Sequence, residues 1–143
     1  MNNKFLALFL FSIFLFPLFG DEINWVNTLN KAKELAKSEN KLIMLMITKP
    51  NCRACDFMKY ATFENEAVID EVNKHYIPVL LNKSELTERI FIRGTPTFKF
   101  YTPQGKRLKY TLIGGINYKK FEPKLRNLRQ RFFNKNNIFR EGE

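Results

Sequence analysis

The stretch Lys41-Leu42-Ile43-Met44-Leu45-Met46-Ile47-Thr48-Lys49-Pro50-Asn51-Cys52-Arg53-Ala54-Cys55 runs from an unbroken apolar segment into two cysteines three residues apart. A continuous apolar run of this length reads as a strand covered on both faces. The residues after it, through Phe57, Met58 and Ala61, read as a helix. Cys52 therefore sits at a strand-to-helix junction. The first N–H groups of a helix have no partner, and the helix dipole places partial positive charge there. A thiolate at that point is stabilised, so the thiol is more acidic and more reactive. Cys55, one turn later, can close a disulfide onto it.

These are the only two cysteines of the chain. Exported proteins that use disulfides as staples usually carry several. A loop this short removes less denatured-state entropy than the ~3 kcal/mol expected for a 15-residue loop. A structural staple is the weaker reading, and redox chemistry the stronger.

Working outward, Val26, Leu29, Ala32, Leu35 and Ala36 recur at helical spacing and predict an amphipathic helix ending near Asn40. Asn65 is placed to cap a helix carrying Ala67, Val68, Ile69 and Val72. Tyr76 to Leu81 reads as a second buried strand, with Pro78 where its missing N–H does no harm. Ser84 is placed to cap a short helix through Leu86 and Ile90. Phe98 to Tyr101 and Lys106 to Ile113 read as a hairpin around Pro103-Gln104-Gly105. A last helix carries Phe121, Leu125, Leu128 and Phe132. Pro123 implies that it starts near Glu122, or that Tyr118 to Phe121 form a separate turn. The order of elements predicts an α/β fold with a central mixed sheet of four to five strands and helices on both faces.

The ends set the context. Met1 to Lys4 is short and positive, Phe5 to Phe19 is nearly all apolar, and Gly20 is small. This is a secretory signal pattern over residues 1–20, with an uncleaved N-terminal anchor left open. No cysteine lies near the cut, which excludes a bacterial lipoprotein. Residues 21–134 form the domain, and 135–143 read as a polar C-terminal tail. The chain has 143 residues, enough for one domain with a substantial core. Its formal charge of +10 favours anionic surfaces or acidic proteins. Export argues against nucleic acid as the partner.

Three pieces together resemble the thioredoxin family. They are the strand followed by Cys52-Arg53-Ala54-Cys55, the turn Gly94-Thr95-Pro96-Thr97-Phe98, and the hairpin from Phe100 to Lys106 with Gly114-Gly115. Pro96 follows Cys55 by 41 positions, as in thioredoxin itself. The stretch from Phe57 to Ile69 resembles a subgroup that includes exported thioredoxin-like proteins and the periplasmic domain of the thiol–disulfide interchange reductase. The resemblance spans nearly all of Ile23 to Phe133.

It implies an exported protein disulfide oxidoreductase. Cys52 would be the exposed nucleophile and Cys55 the buried resolving thiol. Arg53 and Ala54 would tune the couple. Pro96 would be cis and face the sulfurs, and Thr95 would bind substrate through its backbone or hydroxyl. The subgroup implies a periplasmic reductase or electron relay, possessing no cofactor or metal and working as a monomer on protein thiols and disulfides. A membrane thiol-electron donor would supply it, with inner-membrane anchoring or membrane-surface contact as further options. A disulfide oxidase or isomerase is the alternative direction. A Cu(I)-binding dithiol module without exchange activity is the rival from another class, because thiolates suit soft metals.

One departure is visible. Thioredoxins carry a buried carboxylate six positions before the first cysteine; here that position is Met46. Asp56 is too close in sequence to take its place, and Glu64 is the other acid nearby. His75 lies in no ligand or base motif.

Overall fold

A computed structural model describes residues 22–87 and 89–140. The signal segment expected at 1–20 and the last three residues lie outside that range. The elements are helix α1 (Leu29–Glu39), strand β1 (Leu42–Thr48), helix α2 (Arg53–Phe57), helix α3 (Glu66–His75), strand β2 (Tyr76–Asn82), strands β3 (Thr97–Tyr101) and β4 (Arg107–Ile113), and helix α4 (Tyr118–Arg140).

The sheet order is β2-β1-β3-β4. β1 and β2 are parallel, while β3 and β4 join antiparallel. The sheet has four strands. Val26, expected in the first helix, lies before it and forms one isolated bridge against Val79. That bridge accounts for Pro78. Val26 N–H donates to the Pro78 carbonyl, and Leu80 N–H donates to the Val26 carbonyl. Pro78 thus turns its nitrogen towards the sheet edge, away from the β1 ladder, where a missing N–H costs little.

β1 is buried on both faces because its side chains alternate between two cores. Leu42, Met44 and Met46 join Phe98, Phe100, Phe121 and Leu125 on the side of α2, α3 and α4. Ile43, Leu45 and Ile47 join Ala32, Ala36, Val79 and Tyr101 on the side of α1. Trp25 belongs to the first core and meets Phe63 edge-on at 5.1 Å between centroids.

Three segments depart from the sequence reading. The helix expected from Ser84 to Ile90 is a single 3-10 turn, Lys83–Glu85, capped by Asn82 and closed by the Glu85 side chain. Leu86, Ile90 and Ile92 are drawn onto the α1-side core instead, and burial of these side chains outweighs local helical spacing. Asn65 holds the N-cap position of α3 but makes no side-chain cap bond. Helix α4 begins at Tyr118 and carries Pro123 within it. Phe121, Glu122 and Leu125 are buried on both sides of the proline, so packing holds the turn together despite one missing hydrogen bond. With no Pro or Gly from 124 to 140 to stop it, α4 continues to Arg140, so helix occupies positions 135–140 where a tail is expected.

α3 and α4 are tied by charge as well as packing. The Arg129 guanidinium donates from Nε to Glu71 Oε1 at 2.7 Å and from Nη2 to Oε2 at 3.1 Å. The hydrogen bonds to Glu71 raise the Arg129 pKa further above its ordinary value. Tyr76 donates its hydroxyl to the Leu125 carbonyl at 2.6 Å, and burial pushes its pKa well up. Among the described residues, no helix is long and apolar enough to cross a membrane.

Candidate active site

β1 delivers the chain through Lys49-Pro50-Asn51 to Cys52. Asn51 takes a left-handed conformation (φ 54°), which Asn tolerates better than most residues. Cys52 is the N-cap of α2. Its carbonyl accepts from Cys55 N–H at 2.9 Å and from Asp56 N–H at 3.0 Å, and its sulfur accepts from Cys55 N–H at 3.2 Å. The two cysteines form a disulfide, with their Cα atoms 5.2 Å apart.

The Thr95–Pro96 peptide bond is cis. Thr95 Oγ1 lies 3.4 Å from Cys52 Sγ, within reach for its hydroxyl to donate. The turn is fixed from both sides. Thr97 donates its hydroxyl to the Gly94 carbonyl at 2.6 Å, and Gly114 N–H donates to the Pro96 carbonyl at 2.8 Å. The structure thus brings together Cys52, Cys55, Thr95 and Pro96 from elements far apart in sequence.

The accessibility of Cys52 corrects one expectation. Cys52 is 7% exposed and Cys55 2%. Cys52 is the more accessible of the two, but it is no open nucleophile in the disulfide form. Cys55 covers its sulfur on one side, and the Thr95 hydroxyl stands against it on another. Arg53 is exposed at the first position of α2, and Ala54 is half-buried. A charge in that setting acts through water and is screened by salt.

Met46 is fully buried in β1. Asp56 and Glu64 are both exposed, so neither supplies a buried carboxylate behind Cys55. The buried acids among the described residues are Glu71 and Glu122, hydrogen-bonded to Arg129 and Arg126 of α4. His75 ends α3 and lines a cleft with Glu71, Lys74, Glu122 and Arg126. Among the described residues, no three His, Cys, Asp or Glu side chains group as metal ligands.

The sequence reading missed the device that holds the third wall of the site. α2 passes into a π-helical turn, Met58–Thr62. Buried Thr62 donates its hydroxyl to the Ile116 carbonyl at 2.6 Å, and Ile116 N–H points at Met58 Sδ at 3.2 Å. This clamps residues 114–117 onto α2. At Gly115 a Cβ would come within 3.1 Å of Phe57 Cδ1 and 3.5 Å of the Ala54 carbonyl oxygen. Phe57 itself is 43% exposed at this wall. Gly114-Gly115 was the one available signal, and it marks the turn without naming Thr62 as its anchor.

A family model described as a thioredoxin-like domain matches residues 29–129. Among solved structures, a thioredoxin from Thermus thermophilus superposes with a TM-score of 0.65 at 21% identity, over 75% of this chain and 87% of that one. The reduced form of the DsbD C-terminal domain from Neisseria meningitidis gives 0.57 at 19% identity, over 72% and 97%. A protein described as DsbH oxidoreductase gives 0.50 at 18%, over 69% and 81%. A search of curated proteins by sequence finds no match. At these identities the structural likeness speaks for the fold, and the family model carries the kinship. With its C-x-x-C disulfide at the head of α2, the chain belongs to the thioredoxin-like family of thiol–disulfide oxidoreductases.

Proposed function

We propose that this protein is an exported reductase or electron relay for protein disulfides, working in the periplasm and recharged by a membrane dithiol donor. The observation that carries the exchange chemistry is the Cys52–Cys55 disulfide at a helix N-terminus with Thr95 against Cys52. In the reduced protein, the Cys52 thiolate attacks one sulfur of a client disulfide. A mixed disulfide forms, and the client's other sulfur leaves as thiolate and takes a proton. Cys55, deprotonated, then attacks Cys52 Sγ. The Cys52–Cys55 bond closes and the client's second thiol is released. Two electrons pass from the dithiol to the client, and the donor dithiol returns them by the same exchange in reverse. Cys52 is assigned the attack because it is the less buried of the pair and caps the helix.

The reductive direction is supported by the resemblance of Phe57 to Ile69 to the reductive exported subgroup. Structural likeness to the DsbD C-terminal domain, known in both oxidised and reduced forms, supports a couple that cycles between the two states. The test is the equilibrium potential of the couple against glutathione, paired with thiol trapping in cells. A reductase gives a potential near the thioredoxin value of about −270 mV and a trapped dithiol fraction. A potential near about −120 mV with only disulfide trapped reverses the direction to oxidase.

A further inference from the structure

On the α1 side of the sheet lies a cavity of about 270 Å³ lined by Phe91, Arg93, Lys99, Thr111 and Ile113. It adjoins the turn that carries Thr95. Ile113 of β4 pairs with Thr97, two residues past Thr95. A Cβ at Gly94 would rest 3.6 Å from Ile113 Cγ2, so no side chain separates the turn from the cavity wall.

Its chemistry is unusual for a surface hollow. Phe91 is 76% exposed and Ile113 48%, two large apolar side chains turned to solvent. The Arg93 guanidinium stands 5.6 Å from the Phe91 ring centroid. Lys99 donates from Nζ to Thr111 Oγ1 at 2.8 Å. Burial, and then the nearby Arg107 charge, lower the Lys99 pKa from its ordinary value. Among the described residues the lining holds two cations and no carboxylate. Apolar walls beside two cations, with no carboxylate among the described lining residues, fit a side chain that is aliphatic along its stem and anionic at its tip.

We propose that this cavity is a client-docking subsite that takes a glutamate side chain from the polypeptide whose disulfide Cys52 engages. The methylenes lie on Phe91 and Ile113, and the carboxylate meets Arg93 and Lys99. The cavity adjoins the turn whose Thr95 touches Cys52, so in an extended client segment the glutamate lies within a few residues of the attacked cysteine. This rests on the exchange reading above and adds to it the class of sequence the enzyme prefers.

The test uses the reduced full chain and two disulfide-linked peptides that differ only in Glu or Lys three residues from the cysteine. Hydroxyethyl disulfide, small and uncharged, reports exchange by itself. The wild-type protein reduces the Glu peptide with a kcat/KM about fivefold above the Lys peptide at low ionic strength, and the ratio shrinks as salt is added. The ratio is read within each variant, so a loss of folded protein cancels. Arg93→Glu with Lys99→Glu inverts or abolishes it, and Arg93→Lys keeps it. A wild-type ratio near one with hydroxyethyl disulfide still reduced overturns the subsite and leaves the exchange reading intact. A preference that survives the double charge reversal also overturns it. Failure to reduce hydroxyethyl disulfide overturns both.

Discussion

Two sulfur atoms with different surroundings assign two different roles. Cys52 caps α2 and touches Thr95, whereas Cys55 sits one turn inside and is nearly sealed. Cys52→Ser is therefore expected to reduce exchange with model disulfides to background. Cys55→Ser is expected to leave the first attack intact and to accumulate a Cys52–client mixed disulfide, visible as a band shift on non-reducing gels. Accumulation of the same adduct through Cys55 in Cys52→Ser would reverse the roles. At this scale the cysteines were legible because their residue types and spacing carry the chemistry, and Thr95 and Pro96 were singled out only through the resemblance to thioredoxins. The burial of Cys52 was not, since it depends on a threonine 43 positions away. The replacement of a buried acid by Met46 was legible, and it persists in three dimensions. Asp56 and Glu64 both face solvent, so among the described residues neither acid near the pair in sequence is buried behind Cys55.

The active site is assembled by elements that fasten one another. β1 was readable from its unbroken apolar run, and β2 from the same signal with Pro78 at the edge. The π-helical turn at Met58–Thr62 was not, because its widened spacing is set by what it packs against and local propensity does not encode it. The same limit applies at Leu86 and Ile90, where packing onto the α1-side core overrides a helical pattern. Thr62 is the anchor of this level: fully buried, it holds the Ile116 carbonyl and through it the wall at Gly115. Thr62→Val keeps the shape and removes the donor. It should lower stability by about 1–3 kcal/mol, the cost of a buried group left unpaired. Urea denaturation measures the loss, and amide exchange at Gly115 and Ile116 should quicken more than exchange in β1. An unchanged midpoint would mean that the clamp contributes nothing.

The stability of the whole molecule should report on the seam between α3 and α4. His75 is the only histidine of the chain. It ends α3, and a helix C-terminus by itself favours the charged imidazolium. Burial opposes that most strongly, and Arg129 of α4 adds to it. Lys41 and Lys74 push the same way, and Glu71 pushes back. The net effect holds the His75 pKa below its ordinary value of 6.5. In the unfolded chain the imidazole titrates near that ordinary value. Between the two values the unfolded state holds a proton that the folded state lacks, so stability rises with pH across that window. This contribution is complete above the unfolded pKa. It declines as pH falls below it, and levels off once the folded imidazole protonates. Denaturation midpoints measured from about pH 8 down to about pH 5 should fall, and His75→Gln should flatten that part of the profile. The imidazole C–H resonances, unambiguous in a chain with one histidine, should titrate below 6.5 in the folded protein. A midpoint at or above the ordinary value would show that Glu71 outweighs burial, and the profile of the His75→Gln difference would then slope the other way.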